Sequence, residues 1–201
     1  MKSRRKRKMS ETYVIKKKEA CKTSLWSGGS TTELYIYPES ADYKEGNFQC
    51  RISSATVEAE RSDFTSLPGV KRYLSIFSGH LDMIHGENQK VSLEPFQVDS
   101  FDGGVPTVSF GKVVDFNLML KNEADGEMLT AQLKPGEGII LEPKGKENLL
   151  AIYVAEGEIT LGDKQVKKQE MLICKTWEEK TEVENKGEQE AKIGICRVLV
   201  E

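Results

Sequence analysis

The sequence predicts an all-β protein made of two related β-barrels in tandem. Short segments rich in Val, Ile, Leu, Tyr and Thr recur along the 201 residues, and several alternate in polarity as half-buried strands do. Turn dipeptides such as Pro68-Gly69 and Gly162-Asp163 separate these segments. No segment has an apolar stripe at helical spacing over three turns. Many short strands at regular spacing indicate a sandwich or a barrel.

Eleven segments have the composition of a strand. In chain order they are residues 34–37, 49–57, 73–77, 81–84, 111–120, 128–133, 138–141, 149–154, 158–161, 171–174 and 191–200. The Gly162-Asp163 turn closes a tight hairpin between two alternating strands. A polar link at residues 122–126 separates the halves. We therefore expect a basic tail at 1–10, an N-terminal barrel at 11–122 and a C-terminal barrel at 123–201.

A loose internal repeat supports this division. The offset between matched residues is 78 before a turn that is three residues longer in the first copy, and 75 after it. The matched pairs are Gly79 with Gly157, Leu81 with Ile159, Met83 with Leu161, Val91 with Val166, Phe96 with Met171 and Val98 with Ile173. A unit of this size is too long for a solenoid repeat and suits a small barrel domain.

The charge distribution argues against a nucleic-acid binder. The net charge is −3, but residues 1–8 carry six positive charges, so the remainder stands at −9 (−3 minus 6). Phosphate affinity depends on clustered Lys and Arg, which an acidic body lacks. The basic start is compatible with a nucleic-acid or membrane-surface arm, but no aromatic or amphipathic pattern accompanies it. We expect a solvated, disordered tail.

Cysteine usage and hydropathy indicate a cytoplasmic protein. No run approaches the ~18 apolar residues of a membrane span, and no apolar region of a secretory signal follows the basic start. The four cysteines, at 21, 50, 174 and 196, are scattered and form no C-x-x-C pair. We expect neither disulfides nor a zinc site, but small core residues in a reducing compartment.

Four blocks of the first half carry a family resemblance. They are residues 26–34 (WSGGSTTEL), 48–57 (FQCRISSATV), 63–72 (DFTSLPGVKR) and 110–119 (FGKVVDFNLM). In this order they resemble the HutD/Ves family of bacterial bicupins, whose usual forms are a Trp-Lys-Asn-Gly-Gly-Gly loop, an Arg-Ile-Ser strand, a Phe-Pro-Gly turn and an Asp-x-Asn-x-Met strand. The match covers residues 24–120 by motif and the rest by architecture. This chain departs from the pattern at Ser27 and Leu67.

The resemblance implies two tandem cupin, or jelly-roll, barrels and a cytoplasmic small-molecule binder. Family members are linked to histidine utilisation, where one is thought to sense an intermediate such as a formylated or formiminated glutamate. Others are associated with stress responses.

Two polar pairs mark a candidate ligand site. Arg51 and Ser53 share one face of a strand, and Asp115 and Asn117 share one face of another. One interpretation is a solvated outer face with a fixed ion pair. The other is a barrel mouth where Arg51 and Arg72 clamp a carboxylate. A buried Arg needs a partner, for which Asp115 or Glu33 is the natural choice.

The segment at residues 26–32 predicts a ligand loop. Gly28 and Gly29 permit positive φ and an anion-binding nest of backbone N–H groups, with Trp26 as a lid and the Thr32 hydroxyl beside it. Glu33 follows as a hydrogen-bond acceptor. The alternative is an ordinary turn.

The two histidines do not predict a metal site. His80 and His85 are five apart without an H-x-H companion, so they point to opposite faces of a regular strand and are expected at the surface or at a hairpin tip. No nucleophile elbow, P-loop or His beside a Ser or Cys motif is present. We predict no metal, no cofactor and no catalytic residues.

We therefore predict a metal-free cupin whose N-terminal barrel binds a small carboxylate-bearing metabolite and whose C-terminal barrel is mainly structural. An isomerase or hydrolase with a carboxylate base, such as Glu33 or Asp115, is one alternative. A structural protein without a ligand is another. The expected partner is the small molecule, with no nucleic acid or membrane, and a homodimer is left open.

Overall fold

Short segments of alternating polarity form nineteen strands in the computed structural model, which describes residues 13–177 and 179–201. This part of the chain contains no α-helix, only a 3-10 turn at Lys18–Ala20. It therefore has no helix with the length and apolarity to cross a membrane. All strand pairings are antiparallel, and the strands form four sheets. The predicted all-β class is confirmed. The tail predicted at 1–10 lies outside the described residues.

The first half of the chain forms a six-stranded and a four-stranded sheet. The larger sheet consists of β2 (Lys22–Trp26), β3 (Gly29–Tyr37), β4 (Cys50–Val57), β6 (Val70–Ser78), β9 (Val98–Asp102) and β11 (Val113–Lys121). The smaller consists of β5 (Arg61–Asp63), β7 (Leu81–His85), β8 (Gln89–Leu93) and β10 (Thr107–Phe110). Their strand orders are β2-β3-β4-β11-β6-β9 and β5-β10-β7-β8.

The second half forms a five-stranded and a four-stranded sheet. The larger consists of β1 (Tyr13–Lys16), β12 (Asp125–Leu133), β14 (Leu149–Glu156), β17 (Met171–Cys174) and β19 (Ala191–Leu199). The smaller consists of β13 (Gly138–Leu141), β15 (Glu158–Leu161), β16 (Lys164–Lys167) and β18 (Thr181–Glu184). Their strand orders are β1-β17-β14-β19-β12 and β13-β18-β15-β16.

The two halves repeat one topology. The order β4-β11-β6-β9 corresponds to β12-β19-β14-β17, and β5-β10-β7-β8 corresponds to β13-β18-β15-β16. The matched glycines Gly79 and Gly157 both have positive φ, at 88° and 71°. A Cβ there would lie 2.2 Å from the Lys112 carbonyl oxygen and 2.5 Å from that of Glu190. Glycine is therefore required at both positions, because φ is positive and because a Cβ would clash with a carbonyl oxygen.

The repeat is displaced by two residues in its last two matched strands. Val98 faces Ser75 and Met171 faces Tyr153 across equivalent strand pairs. Val98 therefore corresponds to Met171, an offset of 73 instead of the predicted 75. The same offset already holds in the preceding strand, because Leu93 faces Leu81 and Val166 faces Ile159. The hairpin turn of the first copy is therefore five residues longer than that of the second (78 minus 73), and not the predicted three.

Three apolar layers hold the sheets together. One lies between the two sheets of each half. The third joins the two large sheets, where Phe116 stacks on Tyr153 with ring centroids 5.8 Å apart and an interplanar angle of 10°. Gly194 permits this contact, because a Cβ would meet the Phe116 ring at 2.4 Å. The halves thus share a continuous core.

The first strand belongs to the second half. Tyr13–Lys16 pairs with Met171–Cys174 at the edge of the five-stranded sheet. Residues 13–16 therefore do not join the sheets of residues 22–121, although the sequence assigns the region from residue 11 to the first half. The remaining division near residue 122 coincides with the turn between β11 and β12.

Candidate functional site

A cavity of about 440 Å³ lies between the two sheets of the first half. Strand alternation places one set of side chains on the cavity face of each strand. Along this face the wall has an apolar end and a polar end. Ala55, Val57, Leu81 and Val113 supply an apolar end, which merges with the core. The polar end is lined by Glu33, Arg51, Ser53, Arg72, Asp115 and Asn117, which come from β3, β4, β6 and β11. A cavity with one apolar and one charged end suits a small amphiphilic ligand.

Arg51 is buried and paired within the protein. Its Nε donates to Glu33 Oε2 at 2.9 Å and its Nη1 donates to Ser53 Oγ at 3.2 Å. The guanidinium carbon also lies 4.1 Å from the centre of the Tyr43 ring. The predicted Arg51–Glu33 pairing is present. The charge of Arg51 is therefore largely balanced within the protein.

Arg72 is buried without a partner. It is 6% exposed, its Nε has no hydrogen-bond partner, and it forms no ion pair with any described residue. Its guanidinium carbon lies 4.7 Å from the Phe64 ring centre and 5.4 Å from that of Phe101. Burial lowers the pKa of Arg72 to about 10. Arg72 is thus a desolvated cation beside open space.

Asp115 lies at a bulge in β11, where the register with β6 shifts between Val114 and Asp115. Its Oδ1 accepts the Ala55 backbone N–H at 2.8 Å, and its carbonyl accepts Ser54 Oγ–H at 2.7 Å. Burial raises the pKa of Asp115 to about 7, against the opposing effects of the Ala55 N–H, Arg72 and Arg51. Asp115 is therefore poised to change charge near neutral pH.

Two further polar atoms are buried without a hydrogen-bond partner in the cavity wall. They are Asn117 Oδ1 and Ser62 Oγ. An unsatisfied buried polar group costs about 1–3 kcal/mol. Together with Arg72 Nε, they leave the polar end with unused hydrogen-bonding capacity, as expected of a binding site rather than a finished core.

Six of the nine predicted ligand residues line the cavity, and three do not. Trp26, Glu33, Arg51, Arg72, Asp115 and Asn117 contribute to its wall. Gly28, Gly29 and Thr32 lie outside it. The cause is that residues 26–32 form a hairpin instead of the predicted ligand loop, with β2 ending at Trp26 and β3 beginning at Gly29.

The glycines serve this hairpin. A Cβ on Gly29 would lie 1.9 Å from the Thr56 carbonyl oxygen on β4, and one on Gly28 would lie 2.0 Å from the Trp26 ring. Thr32 bonds Thr23 across the hairpin at 2.9 Å. Because side chains alternate along β3, Thr31 shares the cavity face with Glu33, and Thr32 does not.

Sequence reasoning missed the loop at residues 38–49 and the contribution of β5. Tyr43 covers Arg51 and packs near Phe48, with ring centres 6.2 Å apart. Phe64, just after β5, supports Arg72. Aromatic residues in polar turn segments near the Arg strands were the available signal, since cations stack on such rings.

His85 lies at the end of the β7–β8 hairpin, as one of the two predicted positions has it, but its side chain is buried and not at the surface. Its Nδ1 lies 2.8 Å from Thr107 Oγ1 and its Nε2 lies 3.0 Å from Asp99 Oδ2. His80 is exposed, with Nδ1 2.7 Å from Glu94 Oε1. Neither histidine lines the cavity, and no cluster of three or more metal-ligating side chains occurs among the described residues. The cavity residues do not fit a metal centre, because imidazole ligands are missing from a wall that carries two guanidinium groups.

Four antiparallel sheets in duplicated order, with a polar cavity in one half, define a cupin-type protein. The HutD family matches residues 18–192, and the chain belongs to that family. This confirms the resemblance that the four motif blocks indicated. A comparison with curated proteins gave no match.

Solved structures with a similar fold cover nearly the whole chain. A conserved protein of unknown function from Pseudomonas aeruginosa PAO1 has a TM-score of 0.77 at 17% identity, covering 94% of this chain and 99% of its own. HutD from Pseudomonas fluorescens SBW25 has a TM-score of 0.71 at 16% identity, covering 92% and 97%. The pirin YhhW from Escherichia coli, in complex with nickel(II), has a TM-score of 0.69 at 9% identity, covering 92% and 98%. At these identities the likeness concerns the fold alone.

Proposed function

We propose that this protein is a metal-free cupin that binds a small carboxylate-bearing metabolite in the cavity of its first half. Its role is regulatory or accessory in amino-acid utilisation, specifically that of histidine, as membership of the HutD family suggests. The two halves act as tandem cupin barrels in a cytoplasmic protein, with binding in the first and support from the second. The partner is a small molecule, not nucleic acid or membrane.

The observation that carries this proposal is the unpartnered Arg72. A buried guanidinium is costly unless an anion compensates it, and no described residue forms an ion pair or a hydrogen bond with Arg72. A ligand carboxylate can accept two parallel hydrogen bonds from such a group. Asn117 Oδ1 supplies an acceptor nearby, so a ligand with both a carboxylate and an N–H or O–H donor satisfies more of the wall.

Thermal unfolding with a panel of acids tests the proposal. The panel is acetate, N-acetylglycine, succinate, glutarate, L-glutamate and N-acetyl-L-glutamate. A ligand at 100 times its Kd stabilises by about 2.7 kcal/mol. For a chain of this length, that corresponds to a rise in Tm of about 5–10 °C. At least one acid of the panel is expected to reach this range.

Two matched variants locate the site. Arg72→Met keeps the aliphatic contacts of the side chain but removes the cation, and it is expected to abolish the shift. Lys71→Met removes a neighbouring exposed positive charge outside the cavity wall and is expected to preserve the shift. A shift that survives Arg72→Met, or no shift with any acid, contradicts the proposal.

An enzymatic alternative is favoured by Asp115, a carboxylate whose pKa of about 7 suits a general base. A metal-independent isomerase or hydrolase would turn over the stabilising acid, and Asp115→Asn would remove turnover while leaving binding intact. The cavity of about 440 Å³ argues against a structural protein without a ligand, which would fill this space with side chains.

A further inference from the structure

We propose that the cavity takes up its carboxylate together with one proton from solvent, which Asp115 holds in the complex. This inference rests on the proposed binding function and adds how that binding responds to pH. No covalent bond changes: the carboxylate is placed against Arg72, and the proton is placed on the Asp115 carboxyl group.

The charges at the polar end require this proton. Arg51 and Arg72 contribute two positive charges, and Glu33 and Asp115 contribute two negative charges when both are ionised. The polar end is then neutral, so an incoming carboxylate leaves one uncompensated negative charge in a buried space. Such a charge is expensive, and one added proton restores neutrality.

Asp115 is the group that accepts the proton. Glu33 is already paired, because its Oε2 accepts a hydrogen bond from Arg51 Nε at 2.9 Å. Asp115 forms no ion pair with any described residue, and its hydrogen bond is to the Ala55 N–H at 2.8 Å. Burial already raises its pKa to about 7, and an adjacent ligand carboxylate raises it further. Arg72 stays charged, because its pKa of about 10 lies well above this range.

The remaining charged groups around the cavity lie at its rim. The rim carries Lys22 on β2, Asp42 and Lys44 in the 38–49 loop, and Asp63 on β5, together with the uncharged Tyr43. Lys22 lies 4.0 Å from Asp42, and Asp63 lies 2.8 Å from Arg61. These four side chains form two surface pairs, and Lys44 is exposed to solvent, so Asp115 is the titratable group that sets the net charge of the buried polar end.

Isothermal titration of N-acetylglycine, a monocarboxylate, measures the proton directly. Titrations at one pH in HEPES and in Tris differ in heat, because the two buffers have different ionisation enthalpies. The difference in heat divided by the difference in ionisation enthalpy gives the number of protons exchanged. Uptake is expected to approach one proton at about pH 8 and to vanish below about pH 6, and Kd is expected to rise by about tenfold per pH unit above the free-state pKa. Arg72 and the ligand carboxylate do not titrate in this window.

The Asp115→Asn variant tests whether Asp115 itself takes up the proton. The amide keeps an oxygen for the Ala55 N–H, and the variant is expected to bind without proton uptake and with a constant Kd. Asp163→Asn, at an exposed turn of the second half, is the matched control and retains uptake. Binding by the unaltered protein with no buffer-dependent heat overturns this inference alone, whether or not the variant folds. Uptake that persists in Asp115→Asn also overturns it. If no acid of the panel binds at any pH, the proposed binding function itself is wrong.

Discussion

Replacing Asp115 with Asn should stabilise the ligand-free protein, and the gain should grow with pH. In the folded state burial raises the pKa of this carboxyl from 3.8 to about 7. Between these values the folded protein holds a proton that the unfolded chain has released. Stability therefore falls as pH rises through this window, and the full penalty is present above about pH 7. Asparagine is never ionised and avoids this penalty.

The size of the effect follows from the displacement of the pKa. A change of about three pKa units corresponds to about 4 kcal/mol at alkaline pH, an upper value for a group beside a cavity. At about pH 5 roughly 1.5 kcal/mol of this penalty is already present. The stability difference between Asp115→Asn and the unaltered protein should therefore widen by about 3 kcal/mol between about pH 5 and about pH 8.

Urea denaturation at a series of pH values provides the assay, because the difference between two proteins cancels the other titrating groups. Asp163→Asn should follow the unaltered protein at every pH. A difference between Asp115→Asn and the unaltered protein that stays constant from acid to alkaline pH would refute the reasoning, because it would mean that Asp115 ionises as easily in the fold as in water.

Two other substitutions probe stability directly. At about pH 6, Arg72→Met removes a desolvation cost of about 3 kcal/mol and a cation–ring contact of about 1–2 kcal/mol. Urea denaturation should therefore show a free energy of unfolding about 1–2 kcal/mol higher than that of the unaltered protein. A lower free energy of unfolding would mean that the ring contacts outweigh the cost of burial. Gly157→Ala should cost at least about 2 kcal/mol, because φ is 71° and Cβ would lie 2.5 Å from the Glu190 carbonyl oxygen. Gly162→Ala, at φ 58° with nothing within 4 Å, should cost only about 1 kcal/mol in the same assay. Equal costs would contradict the steric argument.

The strands that the sequence predicted are those with enough apolar residues to show their period. All eleven predicted segments coincide with observed strands. The eight others include β5 (RSD), β8 (QKVSL) and β18 (TEVE), which are short and mostly polar. Such strands depend on their neighbours for pairing, and local composition does not contain that information.

The candidate site could likewise be predicted only in part from the sequence. Strand alternation alone places Arg51, Asp115 and Asn117 on one wall, because period two needs no tertiary knowledge. Tyr43 reaches the wall through a loop, and the lack of a partner for Arg72 is a property of the assembled space. Neither feature has a sequence period. Gly28 and Gly29 predicted an anion-binding loop, but they lie in a hairpin with tight contacts. The sequence does not distinguish these two cases, because both require glycine.

The pairing of β1 with β17 bears on how the chain is made. Lys16 and Met171 are neighbours in the sheet but 155 positions apart in the chain. At a synthesis rate of about 5–20 residues per second, β1 waits roughly 10–30 seconds for its partner. During that time residues 22–121 can complete both of their sheets. Among the described strands, the one that leaves the ribosome first is therefore one of the last to pair.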